Sequence, residues 1–191
     1  APSISESDSK EYRTRLINEL EDSNPELYSQ WKLASRRSSQ TSKFIRESGR
    51  CPLSGSGEIN TYPVLTALTG TRLVNDNGRA GIIVKTGLAT DYRTQDLFGK
   101  FVEDNQLVTL YDFVNKEGLF PDVAPPERFC LLTISGSDVS TKEAKFSFFN
   151  TNLEMMRDES RRYGLSKEQI ENINPNTRSC PAFESKRIRD I

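Results

Sequence analysis

The spacing of apolar residues along this chain switches between a helical and a strand period. Tyr12, Leu16, Ile17 and Leu20 form one apolar stripe and predict a helix. Leu27, Tyr28, Trp31 and Ala34 recur at the same spacing and predict a second. Asn24-Pro25 marks its start, with Asn as N-cap and Pro at the first helical position. Residues 6–47 therefore read as a helical pair, although the polar run from Ser35 to Ser42 weakens the pattern.

Residues 48–60 carry Gly and Pro without periodicity and read as a loop. Asn60 is placed to cap a helix from Thr61 to about Leu73, with Pro63 in its first turn, where a missing N–H is harmless. Asn75-Asp76-Asn77-Gly78 is a turn. Ala80 to Val84 is apolar apart from Gly81, the signature of a strand buried on both faces in a parallel sheet. Asp91 is placed to cap a helix lined by Leu97, Phe98, Phe101 and Val102. Leu107–Phe113 and Phe129–Ile134 read as two further strands, most simply an antiparallel pair at a sheet edge. Asn152 to Tyr163 reads as a helix ended by Gly164, and Ser166 with Gln169 as a capping box for another.

Composition narrows the chemistry. The 191 residues fit one domain of ordinary size, polar for its class at 35% hydrophobic and 28% charged. The net charge of −1 removes a bulk electrostatic case for nucleic-acid binding and leaves room for a local basic face. Arg36-Arg37, Arg161-Arg162 and Lys186-Arg187 are such clusters, each read first as a solvated face. No histidine is present, which removes Ser-His-Asp and Cys-His catalysis. Cys51, Cys130 and Cys180 make no C-x-x-C pair, and their odd number favours a reducing compartment, here the cytoplasm. No apolar stretch approaches the ~20 residues of a membrane span. The first residues lack both Met and signal-peptide character, so Ala1 is expected to be either a processed end or, the favoured reading, a boundary within a longer protein.

Four features bear on a site. Gly55-Ser56-Gly57 lacks the third glycine and the Lys of a phosphate loop, and reads as a turn. Asp112 sits between Tyr111 and Phe113, where a buried carboxylate needs a hydrogen-bond partner or a cation. Trp31, Phe44, Phe98 and Phe101 are core candidates. Phe120, in a proline-rich loop, either plugs the sheet end or stacks on a base. A ligand is expected at the carboxyl ends of the strands, at Lys85-Thr86-Gly87 and Phe113-Val114-Asn115.

Several motifs occur in an order that resembles adenine-specific DNA methyltransferases, in particular the large fused restriction–modification methylases. They are Asn60-Thr61-Tyr62, the run from Gly78 to Asp91, Tyr111 to Asn115, Leu119 to Val123, Phe129 to Thr133, and the tail from Glu171 to Arg187. The family carries Pro where Lys85 stands and Glu where Val114 stands. Its Asn-Pro-Pro-aromatic motif and Gly-rich cofactor loop are absent from this sequence. The resemblance covers about residues 12–190.

The resemblance implies an α/β chain with a partial class I methyltransferase (Rossmann-like) sheet. It would comprise the last three strands with an antiparallel edge hairpin, an N-terminal helical insertion and a helical tail. Residues 1–50 would be the insertion, 51–140 the distal half of the methyltransferase domain, and 141–191 a connector towards a DNA-recognition region. It implies methyl transfer from S-adenosylmethionine to the N6 amino group of adenine by the parent protein, with this part inactive alone. Asn60 and Tyr62 would lie near the cofactor; Thr86, Gly87, Asp91 and Phe120 would lie near the substrate base. The implied partners are DNA and the remainder of the methyltransferase domain, with self-association through an exposed strand edge expected for half a sheet. The alternative is a non-catalytic methyltransferase-like partner or DNA-binding module.

Overall fold

The computed structural model describes residues 2–7, 9–55, 58–175, 179–185 and 187. The chain divides into two units, Ala1–Arg50 and Cys51–Ile191.

The first unit is helical: α1 (Pro2–Ser5), α2 (Lys10–Ser23) and α3 (Pro25–Glu47). Ser9 caps α2 by accepting from the Tyr12 N–H, and Asn24 caps α3 by accepting from the Leu27 N–H. Helix α3 continues unbroken through the polar run Ser35–Ser42, where the sequence pattern fades. No residue of α2 or α3 is buried. The expected core role of Trp31 and Phe44 is therefore corrected: they are 40% and 52% exposed. Helical spacing fixes which side chains share a face, not whether anything covers it.

The second unit is a five-stranded mixed sheet with helices, an α/β arrangement consistent with a partial Rossmann-like methyltransferase fold. The strands are β1 (Arg79–Lys85), β2 (Leu107–Val114), β3 (Arg128–Ser135), β4 (Ala144–Asn150) and β5 (Tyr163–Leu165), in the order β1-β3-β2-β4-β5. β3 runs antiparallel to both β1 and β2; β4 lies parallel to β2, and β5 antiparallel to β4. The helices are α4 (Thr61–Leu68), continued by a π-helical turn at Thr69–Leu73, then α5 (Gly87–Thr90), α6 (Gln95–Glu103), α7 (Leu153–Arg157) and α8 (Lys167–Ile173). Leu97, Phe98, Phe101 and Val102 of α6 are buried against a core that includes Leu110, Leu132, Ile134 and Phe146.

Three expectations change. β1 is not buried on both faces: it is an edge strand, with exposed and half-buried residues alternating along it. The Gly136 N–H donates to the Gly78 carbonyl and the Thr86 N–H to the Arg128 carbonyl, so even-numbered positions face β3. Arg79, Gly81, Ile83 and Lys85 thus turn their backbone groups to an edge on which no described strand pairs. The β2–β3 antiparallel pair forms, but it lies inside the sheet, because the tail supplies β4 and β5. Gly164 is accordingly a strand residue of β5 and not a helix terminator, and the predicted helix over 152–163 stops at Arg157. The capping box of α8 is present, with Ser166 and Gln169 bonded reciprocally.

The tail is tied back to the sheet and to α5. Cys180 donates its N–H to the Ala89 carbonyl at 2.8 Å. The Tyr163 hydroxyl donates to the Pro181 carbonyl at 3.1 Å and accepts from the Phe183 N–H at 3.0 Å.

Candidate functional site

A polar cavity of about 530 Å³ opens beside the carboxyl end of β1. Its walls come from the start of α4 and from the segment after α5, and include Asn60, Tyr62, Asp91, Arg93 and Gln95. Asn60 occupies the N-cap position of α4, but its side chain makes no capping hydrogen bond. Its amide is therefore not spent on the helix. Asp91 caps the 3₁₀ turn Tyr92–Thr94 by accepting from the Arg93 N–H at 3.0 Å, and remains exposed.

Tyr62 is half-buried, and burial, then the charge of Asp91, raises its phenol above the ordinary value. It stays a neutral hydroxyl at physiological pH. A Cβ built on Gly87 would stand 3.5 Å from the Tyr62 hydroxyl and 3.9 Å from the Asp91 Cβ. Asn60, Tyr62, Gly87 and Asp91 are thus brought to one place. Glu58 and Asp96 also line the cavity, so its carboxylates outnumber Arg93. The electrostatics favour a ligand with positive charge and hydrogen-bonding groups.

Thr86 is not at the cavity surface. It is buried, and its hydroxyl donates to Asp112 Oδ1 at 2.6 Å. The Asp112 carboxylate also accepts from Arg128 Nε and Nη2 at 3.1 and 2.7 Å, and from the Phe149 N–H at 2.8 Å. The buried charge is fully partnered, as its setting demands. Phe149 has a φ of 58°, at a register shift between β2 and β4, so Asp112 also holds a bulge open. Asn150 donates to the Asp112 carbonyl at 2.8 Å. The cluster joins the β1–α5 turn to β2, β3 and β4.

Phe120 lies apart from the cavity lining. Its ring meets Phe129 edge-on at 4.8 Å, and Phe129 stacks on Phe113 at 5.3 Å. Its loop is organised by buried Asn115, whose amide donates to the Phe120 and Val123 carbonyls at 2.9 and 2.7 Å while its oxygen accepts the Phe120 N–H at 2.9 Å. Of the two sequence readings, packing at the sheet end is what this contact does. Of Gly55-Ser56-Gly57, Ser56 and Gly57 lie outside the described residues, as does Lys186 of the last basic pair.

Sequence reasoning missed Arg128 and the cavity residues Arg93 and Gln95. The need of Asp112 for a cation was visible, but not which Arg would meet it. Arg161 and Arg162 are not simple solvated charges: Arg161 donates to the Phe148 carbonyl, and Arg162 donates to the Met156 carbonyl and lies over the Tyr111 ring. Among the described residues, no group of three potential ligands could hold a metal ion, and no helix is long and apolar enough to cross a membrane.

No protein-family model matches the chain, and no curated protein matches it. Among solved structures it is similar to the type IIG restriction endonuclease BpuSI, at 21% identity and a TM-score of 0.48. The match covers 68% of this chain and 17% of that protein. Likeness of this degree assigns no role to any residue here.

Proposed function

We propose that this chain is the distal part of the catalytic domain of a DNA adenine methyltransferase from a restriction–modification system. The supporting observation is the coincidence of two independent facts. Three of the motifs that resemble that family carry strands β1, β2 and β3 of one sheet, and two motifs, through Asn60 and Tyr62 and through Asp91, line a single polar cavity. In this reading Asn60 and Tyr62 help hold S-adenosylmethionine. The acidic lining suits its sulfonium and amino charges, and the uncommitted Asn60 amide and the neutral Tyr62 phenol suit its polar groups. The bound cofactor would supply the methyl group. Gly87 and Asp91 form the rim on the substrate side, and Thr86 fixes that rim from beneath.

The chain would then act with the remainder of the methyltransferase domain, whose neighbouring strand would pair with the open edge of β1. In isolation the same edge would pair with a second copy.

The test is methyl transfer by the complete gene product. DNA incubated with labelled S-adenosylmethionine is digested to nucleosides, and the label is expected on adenine N6. Label on cytosine alone, or no incorporation into any DNA, would overturn the reading.

A further inference from the structure

Positive and negative charges balance over the whole sequence, but not along α3. Between Glu26 and Glu47 this helix carries Lys32, Arg36, Arg37, Lys43 and Arg46 and no acidic residue. The continuation of the helix through Ser35–Ser42 aligns them. At 3.6 residues per turn, Lys32, Arg36 and Lys43 fall within roughly 40° of one another around the axis and span about 16 Å along it. Ser35 and Ser39 lie on or beside the same stripe, and all five side chains are exposed. The acidic neighbours that made Arg36-Arg37 read as a balanced surface do not lie on this stretch. Lys43 pairs with Glu47 at 3.8 Å, both highly exposed, a contact that contributes little and exchanges readily.

We propose that this stripe of α3 is a docking surface for the phosphate backbone of duplex DNA. Complementarity of charge and chemistry carries the choice of partner. Cations spaced along a rigid rod meet a rod of phosphates, and interleaved hydroxyls add hydrogen bonds to phosphate oxygens. A membrane-surface helix would collect its large apolar residues opposite the basic ones. Here the face opposite the stripe is mixed, with Gln30, Arg37 and Thr41 set among Leu27, Ala34 and Ile45. The surface is sequence-neutral: it holds the duplex and reads no base. It stands on the charge pattern of α3 and does not depend on methyl transfer.

The 191-residue chain is titrated into a fluorescent DNA duplex between about 50 and 200 mM salt, by anisotropy. The variant Lys32→Gln, Arg36→Gln, Lys43→Gln keeps helix-forming side chains and is checked by circular dichroism. It is expected to bind at least about tenfold more weakly at low salt, with the slope of log K against log salt reduced in magnitude by about 2 to 3. Arg15→Gln on α2 serves as the single-charge comparison and is expected to lower the slope by less than about 1. No binding by the wild-type chain, an unchanged slope in the triple variant, or tighter binding to anionic vesicles or polyglutamate than to DNA would each overturn the inference. A gene product that transfers no methyl group while the triple variant still loses its salt slope would remove the methyltransferase reading and leave this one standing.

Discussion

Arg128 grips the fully buried carboxylate of Asp112 with both arms of its guanidinium, Nε on one oxygen and Nη2 on the other. The remaining acceptor capacity goes to the Thr86 hydroxyl and the Phe149 N–H. Four parts of the second unit are thereby tied to one charge. Arg128→Met leaves that charge buried without its cation and is expected to destabilise the second unit by about 3 kcal/mol. Arg128→Lys recovers only part of this, because an ammonium cannot make the two-pronged contact. Urea unfolding measures both; equal stability of Met and wild type would show that the pair contributes nothing net.

Thr86 tests whether the turn after β1 is held from beneath. Thr86→Val keeps the shape and removes the donor to Asp112, at an expected cost of about 2 kcal/mol. Thr86→Ser restores the hydroxyl and most of the stability. In the complete gene product the same pair should separate turnover in the same order. Valine and serine variants with indistinguishable stability and turnover would release Thr86 from this role.

The Asn115 side chain makes three hydrogen bonds within the loop that carries Phe120. Asn115→Ala leaves the Val123 carbonyl and the Phe120 N–H without their side-chain partner, removes one of two donors from the Phe120 carbonyl, and is expected to cost about 2 kcal/mol. The loop opens more often, so trypsin should cut after Lys116 about tenfold faster than in the wild type. An unchanged cleavage rate would show that the Asn115 side chain does not hold the loop.

The buried thiols make stability depend on alkaline pH. Burial, then the charge of Asp112, pushes the Cys130 thiol up to about 12, and burial raises Cys180 well above its ordinary value. An unfolded thiol loses its proton near 8.5. Above that pH the unfolded state binds fewer protons than the folded one, so stability falls as pH rises. Each such thiol contributes a slope of about 1.4 kcal/mol per pH unit. For Cys130 the loss runs from about 8.5 towards 12, and below that window its contribution is complete. Urea midpoints across this range should decline, and Cys130→Ala should flatten the decline. A level profile in the wild type would contradict the burial of these groups.

The helices of the first unit and the capping signals were legible because they are local. Asn24-Pro25 and Ser166 with Gln169 set their helix starts through bonds three residues apart. The stripe on α6 was legible because a four-residue period survives any tertiary context that buries one face. β4 and β5 were not, because Lys145, Ser147 and Asn150 break the apolar pattern of β4, and β5 is only three residues long. Pairing with distant β2 makes β4 a strand, and pairing with β4 makes β5 one. Asp112 announced a need for partners, but Thr86, Arg128 and Phe149 stand 26, 16 and 37 residues from it, and no sequence spacing links them.

The sequence by itself determined the local conformations, the chemistry absent for want of histidine, and the order of the motifs. These depend on neighbours within a few residues or on residue type alone. Only the tertiary structure decided that β3 enters the sheet between β1 and β2, that the Thr86 hydroxyl faces a buried carboxylate, and that Asn60, Tyr62 and Asp91 share one cavity. Those outcomes follow from packing and charge satisfaction between segments far apart in the chain, where the free energy of burial, and not the local pattern, selects the partner.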